Sequence, residues 1–240
     1  MVDYFITELD ISKKGLTQLY DIGKYTNLQE LYCGDNKLTS LDNLPPNLQK
    51  LYCYNNQLTT INNLPPNLQV LYCNDNDISS LDNLPNNLQE LNCDGNQITS
   101  LDNLPHNLQT LDCSNNEIAI LDNLPPNLKK LDCYGNQLTS LDNLPPNLKK
   151  LDCADNKITS LDNLPPNLQE LNCYGNQLTI LDNLPPNLQI LDCQHNKLNK
   201  LDNLPFNLRQ LYCFNNPLTY DFEHTLENIK NYNAARKLSS

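Results

Sequence analysis

Ten cysteines are the first residues whose chemistry must be settled: Cys33, Cys53, Cys73, Cys93, Cys113, Cys133, Cys153, Cys173, Cys193 and Cys213. An even number of thiols could pair as disulfides in an oxidising compartment, and a zinc site would take cysteines in pairs two to four residues apart. The spacing fits neither, because it is 20 throughout, without one insertion or deletion. It marks a structural period. Every thiol then occupies the same inward position and acts as a free, small, buried hydrophobe, as a reducing compartment allows. The three histidines offer little more. His106 stands where other units carry Pro, His195 stands in a turn position, and His224 follows the array. No glycine-rich phosphate loop or nucleophile elbow accompanies them. The expectation is a non-catalytic chain with no metal and no cofactor.

The elements that carry these residues follow from the period. Residues 48 to 64 read LQKLYCYNNQLTTINNL, with apolar Leu48, Leu51, Cys53, Leu58, Ile61 and Leu64 and with Asn56, which is the pattern L-x-x-L-x-C-x-x-N-x-L. Ile6, Leu9, Ile11, Leu16 and Leu19 form one further degenerate copy, offset by 22, with Lys14 where the Asn belongs. The pattern resembles the leucine-rich repeat in its short form, over about residues 6–219. The resemblance implies a repeat solenoid: a horseshoe with a parallel β-sheet on the concave face and polyproline or turn segments on the convex face. It divides the chain into a degenerate capping repeat (1–27), repeats of period 20 (28–218) and a C-terminal helical cap (219–240). It also implies binding through the concave face.

Physical reasoning reaches the same architecture. Leu51 and Cys53 alternate with Tyr52 and Tyr54, so a short strand sends one set inward and the other to solvent. Asn56 carries donors and an acceptor that can bond the backbone of neighbouring coils, and its repetition predicts a buried ladder. The position of Asn55 holds only Asn, Asp, Gly or His, residues that tolerate a left-handed turn. Fifteen of the 16 prolines share the position of Pro45 and Pro46 and exclude a regular helix on the return segment. Asp42 and its equivalents at 82, 102, 122, 142, 162, 182 and 202 are expected to bond nearby backbone amides as turn formers. After the array, Thr225 can cap a helix over about 226–237, with Leu226, Ile229, Tyr232 and Leu238 near helical spacing. No unit can fold alone; stacking buries each face and satisfies the strand edges.

Composition narrows the partners. Against 16 Lys and Arg stand 28 Asp and Glu, a net charge of −12, which opposes binding to nucleic acid and to anionic membrane surfaces. No apolar run is long enough to span a bilayer, and the first residues lack the pattern of a secretory signal. The expected location is cytoplasmic. Near-identical repeats rich in Asn, Lys, Tyr and Ile also resemble leucine-rich repeat proteins of giant viruses and effectors of intracellular bacteria. That resemblance implies a host protein as partner and the host cytosol as a possible compartment. Some such effectors add a C-terminal ubiquitin-ligase domain and an N-terminal helical pair; neither pattern is expected here.

Function is then expected on the outward strand positions. From Tyr32 onward the position of Tyr52 reads Tyr, Tyr, Tyr, Asn, Asp, Asp, Asp, Asn, Asp, Tyr. Tyr32, Tyr52 and Tyr72, with Tyr54 beside them, form an aromatic patch with the composition of an interface hot spot, or stacked rings that support one another. Asp112, Asp132, Asp152 and Asp192 form an acidic middle, and Tyr212 and Phe214 close the far end. Lys130 and Lys150 are expected to relieve the repulsion between Asp132 and Asp152 in a mixed-charge ladder, or the residual potential receives basic side chains of a partner. Tyr134 and Tyr174 flank Ala154, leaving a notch that suits a Lys or Arg. The reading is a module that binds a protein or peptide as a monomer. The alternative is a structural or self-assembling scaffold, favoured by the near-invariant Leu-Asp-Asn-Leu-Pro-Pro-Asn side; the variable strand face favours binding.

Overall fold

The structure, a computed structural model, describes residues 5–238. Residues 1–4 of the expected N-terminal cap and 239–240 of the C-terminal one lie outside the described residues. The chain divides into two compact units, Met1–Ile118 with Asn123–Leu128, and Ala119–Asp122 with Lys129–Ser240. Strand order follows sequence order throughout, and all pairing is parallel.

The first unit carries β1 (Glu8–Asp10), β2 (Glu30–Tyr32), β3 (Lys50–Tyr52), β4 (Val70–Tyr72), β5 (Glu90–Asn92) and β6 (Thr110–Asp112). The second carries β7 (Lys130–Asp132), β8 (Lys150–Asp152), β9 (Glu170–Asn172), β10 (Ile190–Asp192), β11 (Gln210–Tyr212) and the helix α1 (Leu226–Leu238). Register repeats the sequence period: Leu31, Leu51 and Leu71 pair in the first unit and Leu131, Leu151 and Leu171 in the second. Because equal side chains fall in register, each inward position becomes a column. Leu51, Cys53, Leu58 and Leu48 are fully buried, and so are their equivalents through most of the array. The thiols are all free and all buried; Cys93 Sγ donates to the Asp112 carbonyl oxygen of the next coil at 3.3 Å. Burial pushes the Cys33 and Cys73 thiols up to about 12.

The asparagine column is the polar spine of each unit. Asn96 Nδ2 donates to Cys73 O of the preceding coil at 3.1 Å and to Cys93 O at 3.0 Å and Asp94 O at 3.1 Å of its own. Its Oδ1 accepts from Ile78 N at 2.9 Å. One side chain thus satisfies three carbonyls and one amide that the short strands leave unpaired, which is why a carboxamide is needed. Asn156 in the second unit does the same for Cys133, Cys153, Ala154 and Leu138.

Each regular coil makes two left-handed turns. One is at the expected position, with φ of 50° at Asn55, 54° at Asp75 and 52° at His195. The second falls on Asn43, Asn63, Asn83 and their equivalents to Asn203. This corrects the role expected of the preceding aspartate. Asp42 Oδ2 accepts the Ser40 hydroxyl at 2.7 Å, and Asp82 Oδ2 accepts that of Ser80 at 2.6 Å; among the described residues neither carboxylate takes a backbone amide. The turn itself is made by the Asn that follows, whose short polar side chain tolerates positive φ. Between the repeat strands, from β2 to β11, no helix forms among the described residues; a 3-10 turn at Ile22–Lys24 belongs to the first coil.

Helix α1 covers the last coil. Thr225 Oγ1 accepts from Asn228 N at 3.2 Å, the N-cap bond its position predicts. Ile229 is fully buried, Lys230 Nζ donates to Leu208 O at 2.9 Å, and Asn233 Nδ2 donates to Leu201 O at 2.8 Å. The side chain of Leu238, expected on the same helix face, lies outside the described residues.

Candidate functional site

The outward strand position obeys a local rule that explains most of its residues. Ser12 N donates to Asp10 Oδ1 at 2.8 Å, Asp94 N to Asn92 Oδ1 at 3.0 Å, and Ser114 N to Asp112 Oδ1 at 3.1 Å. In the second unit the amides of Tyr134, Ala154, Tyr174 and Gln194 donate in the same way to Asp132, Asp152, Asn172 and Asp192. An Asp or Asn in this column fastens the chain as it leaves the strand. Tyrosine at the same position cannot make this bond. Tyr32, Tyr52, Tyr72 and Tyr212 therefore depart from what the local backbone favours.

The first three of these tyrosines are brought together in the first unit. Their residues are in register on β2, β3 and β4. The Tyr32 and Tyr52 rings stack at 4.6 Å with planes 2° apart, and Tyr72 meets Tyr52 edge-on at 5.1 Å. All three are half-buried. The outer two hydroxyls are tied down: Tyr32 donates to Glu30 Oε2 at 3.1 Å, and Tyr72 donates to Glu90 Oε1. Lys50 Nζ pairs with Glu30 Oε1 at 2.7 Å and holds that carboxyl below its usual range. The bond to Glu90 pushes the Tyr72 phenol up to about 12, with burial adding to it. The Tyr52 hydroxyl, between them, makes no hydrogen bond among the described residues. Tyr54 is placed differently from the sequence expectation. Its ring lies on Gly34 of the preceding coil, where a Cβ would stand 2.6 Å from Tyr54 Cζ. Gly34 is the small residue that admits the ring, and its placement one period before Tyr54 is the signal in the sequence.

In the second unit Asp132, Asp152 and Asp192 share the column with Asn172. For Lys150 the expected relief is corrected by the geometry: its Nζ turns to Glu170 Oε1 at 2.6 Å across to β9, and not to Asp152. Asp152 is instead held by neutral donors, Ala154 N at 3.0 Å and Asn172 Nδ2 at 2.7 Å. Its half-buried carboxyl is pushed up by desolvation, and Asp132 and Asp192 add to this. Ala154 is 2% exposed, so the floor of the space between Tyr134 and Tyr174 is covered. The Tyr134 hydroxyl is bonded to Asp155, and the Tyr174 ring packs against His195 at 4.8 Å. Tyr212, at the end of β11, and Phe214, just after it, are 43% and 64% exposed.

Sequence reasoning missed one further feature. A groove of about 510 Å³ runs beside the strands of the first unit, lined by Thr7 and the carboxamides from Asn27 to Asn87. Its lining is uncharged. Among the described residues no cluster of His, Cys, Asp or Glu has the arrangement of a metal site, and no helix is long and apolar enough to cross a membrane.

Comparison with known proteins agrees with this architecture. The family model described as leucine-rich repeats in two copies matches six overlapping stretches between residues 26 and 186, among them 26–66, 66–106, 106–146 and 146–186. No curated protein sequence matches. Among solved structures, YopM from Yersinia enterocolitica is 34% identical over 93% of this chain and 59% of its own, with a TM-score of 0.63. The leucine-rich effector YopM from Yersinia pestis is 30% identical over 85% of this chain and 71% of its own, with a TM-score of 0.68. The functional domain of InlJ from Listeria monocytogenes, whose structure includes a cysteine ladder, is 30% identical over 89% of this chain and 64% of its own, with a TM-score of 0.60. The chain thus spans about three fifths of the length of the first YopM and of InlJ. Repeat period, asparagine spine, parallel strands and these matches agree, and the chain belongs to the leucine-rich repeat family, whose fold is typical of protein-interaction modules.

Proposed function

We propose that the chain is a non-catalytic interaction module that engages a protein partner through the strand face of its first unit, with Tyr32, Tyr52 and Tyr72 at the centre. One observation carries this reading. The position those tyrosines occupy favours Asp or Asn, which fasten the strand exit, and three consecutive coils give up that bond for an aromatic cluster. Half-exposed tyrosines held in fixed orientation supply large contact area at low entropic cost, as interface hot spots do. The Tyr52 hydroxyl adds a donor and acceptor at the middle of the cluster. Acidic residues in the second unit, at Asp132, Asp152 and Asp192, serve the turns first and extend the electronegative surface second. Likeness to a Yersinia protein described as an effector supports a host protein as partner and the host cytosol as compartment. The ten free thiols fit a reducing environment.

The test uses the intact chain and a Tyr32→Asn, Tyr52→Asn, Tyr72→Asn variant as baits in a cell lysate. Asparagine restores the turn bond, so folding is retained and circular dichroism is unchanged. A protein retained by the intact chain and lost by the variant supports the reading. Equal retention by both places binding elsewhere and contradicts it.

A further inference from the structure

The groove beside the strands of the first unit plays no part in the tyrosine reading. Its volume is about 510 Å³, and its walls are Thr7 and seven carboxamides, with no charged group and no aromatic ring among them. In a chain of net charge −12 that neutrality sets the groove apart. It is also local, because the position of Gln29, Gln49 and Gln69 is taken in the second unit by Lys129, Lys149 and Arg209.

Two of the carboxamides hold the return segments together: Asn47 Nδ2 donates to Thr26 O at 2.9 Å, and Asn87 Nδ2 donates to Pro66 O at 3.0 Å. The side chains of Asn27, Gln29, Gln49, Asn67 and Gln69 make no hydrogen bond among the described residues. All five are exposed except Gln49, which is half-buried. The main chain beneath them is fully engaged. Thr7 O accepts from Gln29 N at 2.8 Å and Glu30 N at 3.0 Å, Gln29 O accepts from Gln49 N at 2.8 Å and Lys50 N at 2.9 Å, and Gln49 O and Gln69 O each take two amides in the same way. A carbonyl with both lone pairs occupied cannot pair with the backbone of an added strand. The groove therefore offers side-chain donors and acceptors alone, repeated at the spacing of the strands.

That combination suits a neutral chain of hydroxyls. A carboxamide presents donors and an acceptor together, so one side chain can bond two neighbouring hydroxyls of a sugar ring without desolvating a charge. An extended β-1,4-linked glycan advances about 5 Å per ring, close to the roughly 4.8 Å between strands, whereas two residues of an extended peptide take about 6.7 Å. Going beyond the protein-binding reading, we propose that this groove binds a neutral β-1,4-linked oligosaccharide, laid across the coils of β1 to β5 at one ring per coil and bonded by Gln29, Gln49, Asn67 and Gln69.

The experiment is isothermal titration calorimetry of the full-length chain with cellopentaose, chitopentaose and maltopentaose. The expected result is saturable binding of at least one of the two β-linked sugars, with the α-linked maltopentaose about 5-fold weaker or more, because its curved chain leaves the register after few coils. Gln49→Ala and Gln69→Ala each weaken the bound sugar about 3- to 10-fold with circular dichroism unchanged, and Gln189→Ala, in the second unit, has no effect. The variant carrying Tyr32→Asn, Tyr52→Asn and Tyr72→Asn binds the sugar as the intact chain does. Absence of binding by both β-linked sugars at millimolar concentration overturns the proposal, and so does maltopentaose binding of equal strength. An affinity that both glutamine variants leave intact, or that the tyrosine variant abolishes, places the sugar outside the groove and overturns it as well.

Discussion

At the scale of single residues, burial decides what the cysteines do and local hydrogen bonding decides what the outward aspartates do. Ten thiols with no exposed sulfur and a strong preference for the neutral form are inert packing atoms. An aromatic disulfide reagent should therefore find no reactive thiol in the native chain and ten after denaturation; fewer than ten would reveal disulfides. Tyr72 offers a titration. The Glu90 carboxylate accepts from the neutral phenol, so the folded protein holds that proton above the ordinary tyrosine value of about 10. The associated stability is fully present below pH 10 and is lost as pH rises through about 12. An ultraviolet difference titration should show Tyr72 among the tyrosines that ionise late, with Tyr32, Tyr52, Tyr134 and Tyr220, and Glu90→Gln should lower the Tyr72 value. The inward residues and the asparagine spine are legible from spacing alone, because every period repeats the same environment. The partner of Lys150 is not, since a long side chain chooses among neighbours two residues away on its own strand and directly across on the next, nor is that of Asp42, where a hydroxyl two residues back competes with nearby amides. Tyr54 belongs to the same class: its resting place on Gly34 depends on the preceding coil.

At the scale of the element, each coil has three-residue strands, too short to satisfy the backbone between them. The asparagine column completes the hydrogen bonding. Asn96→Ala leaves the amide of Ile78 and the carbonyls of Cys73, Cys93 and Asp94 without that partner, at a cost of about 2 to 4 kcal/mol in a urea unfolding series. An unchanged midpoint would contradict the role assigned to the spine. Thr225→Ala should cost about 1 kcal/mol through the lost cap of α1. The strand positions, the proline-bearing return segments and the capping helix could all be read from the period and the cap residue. The second left-handed turn at Asn43 and its equivalents could not be separated from its neighbour Asp42, because Asp and Asn are both turn formers and stand side by side in nearly every repeat.

At the scale of the molecule, the chain is an acidic repeat protein whose outer segments scarcely change while its strand face varies. A net charge of −12 keeps copies apart in dilute salt, and light scattering should return the monomer mass of 27.4 kDa; a larger mass would favour the self-assembling alternative. Its most distinctive surface is the place where turn-forming aspartate and asparagine give way to three contiguous tyrosines. The most direct measurement places a photo-crosslinking amino acid at position 52, on that face, and in a second chain at position 142, on a return segment. Illumination in lysate should give a discrete adduct with a protein from position 52 and none from position 142. Adducts from position 142 alone, or equally from both, would contradict the claim that the tyrosine face is where this protein meets its partner.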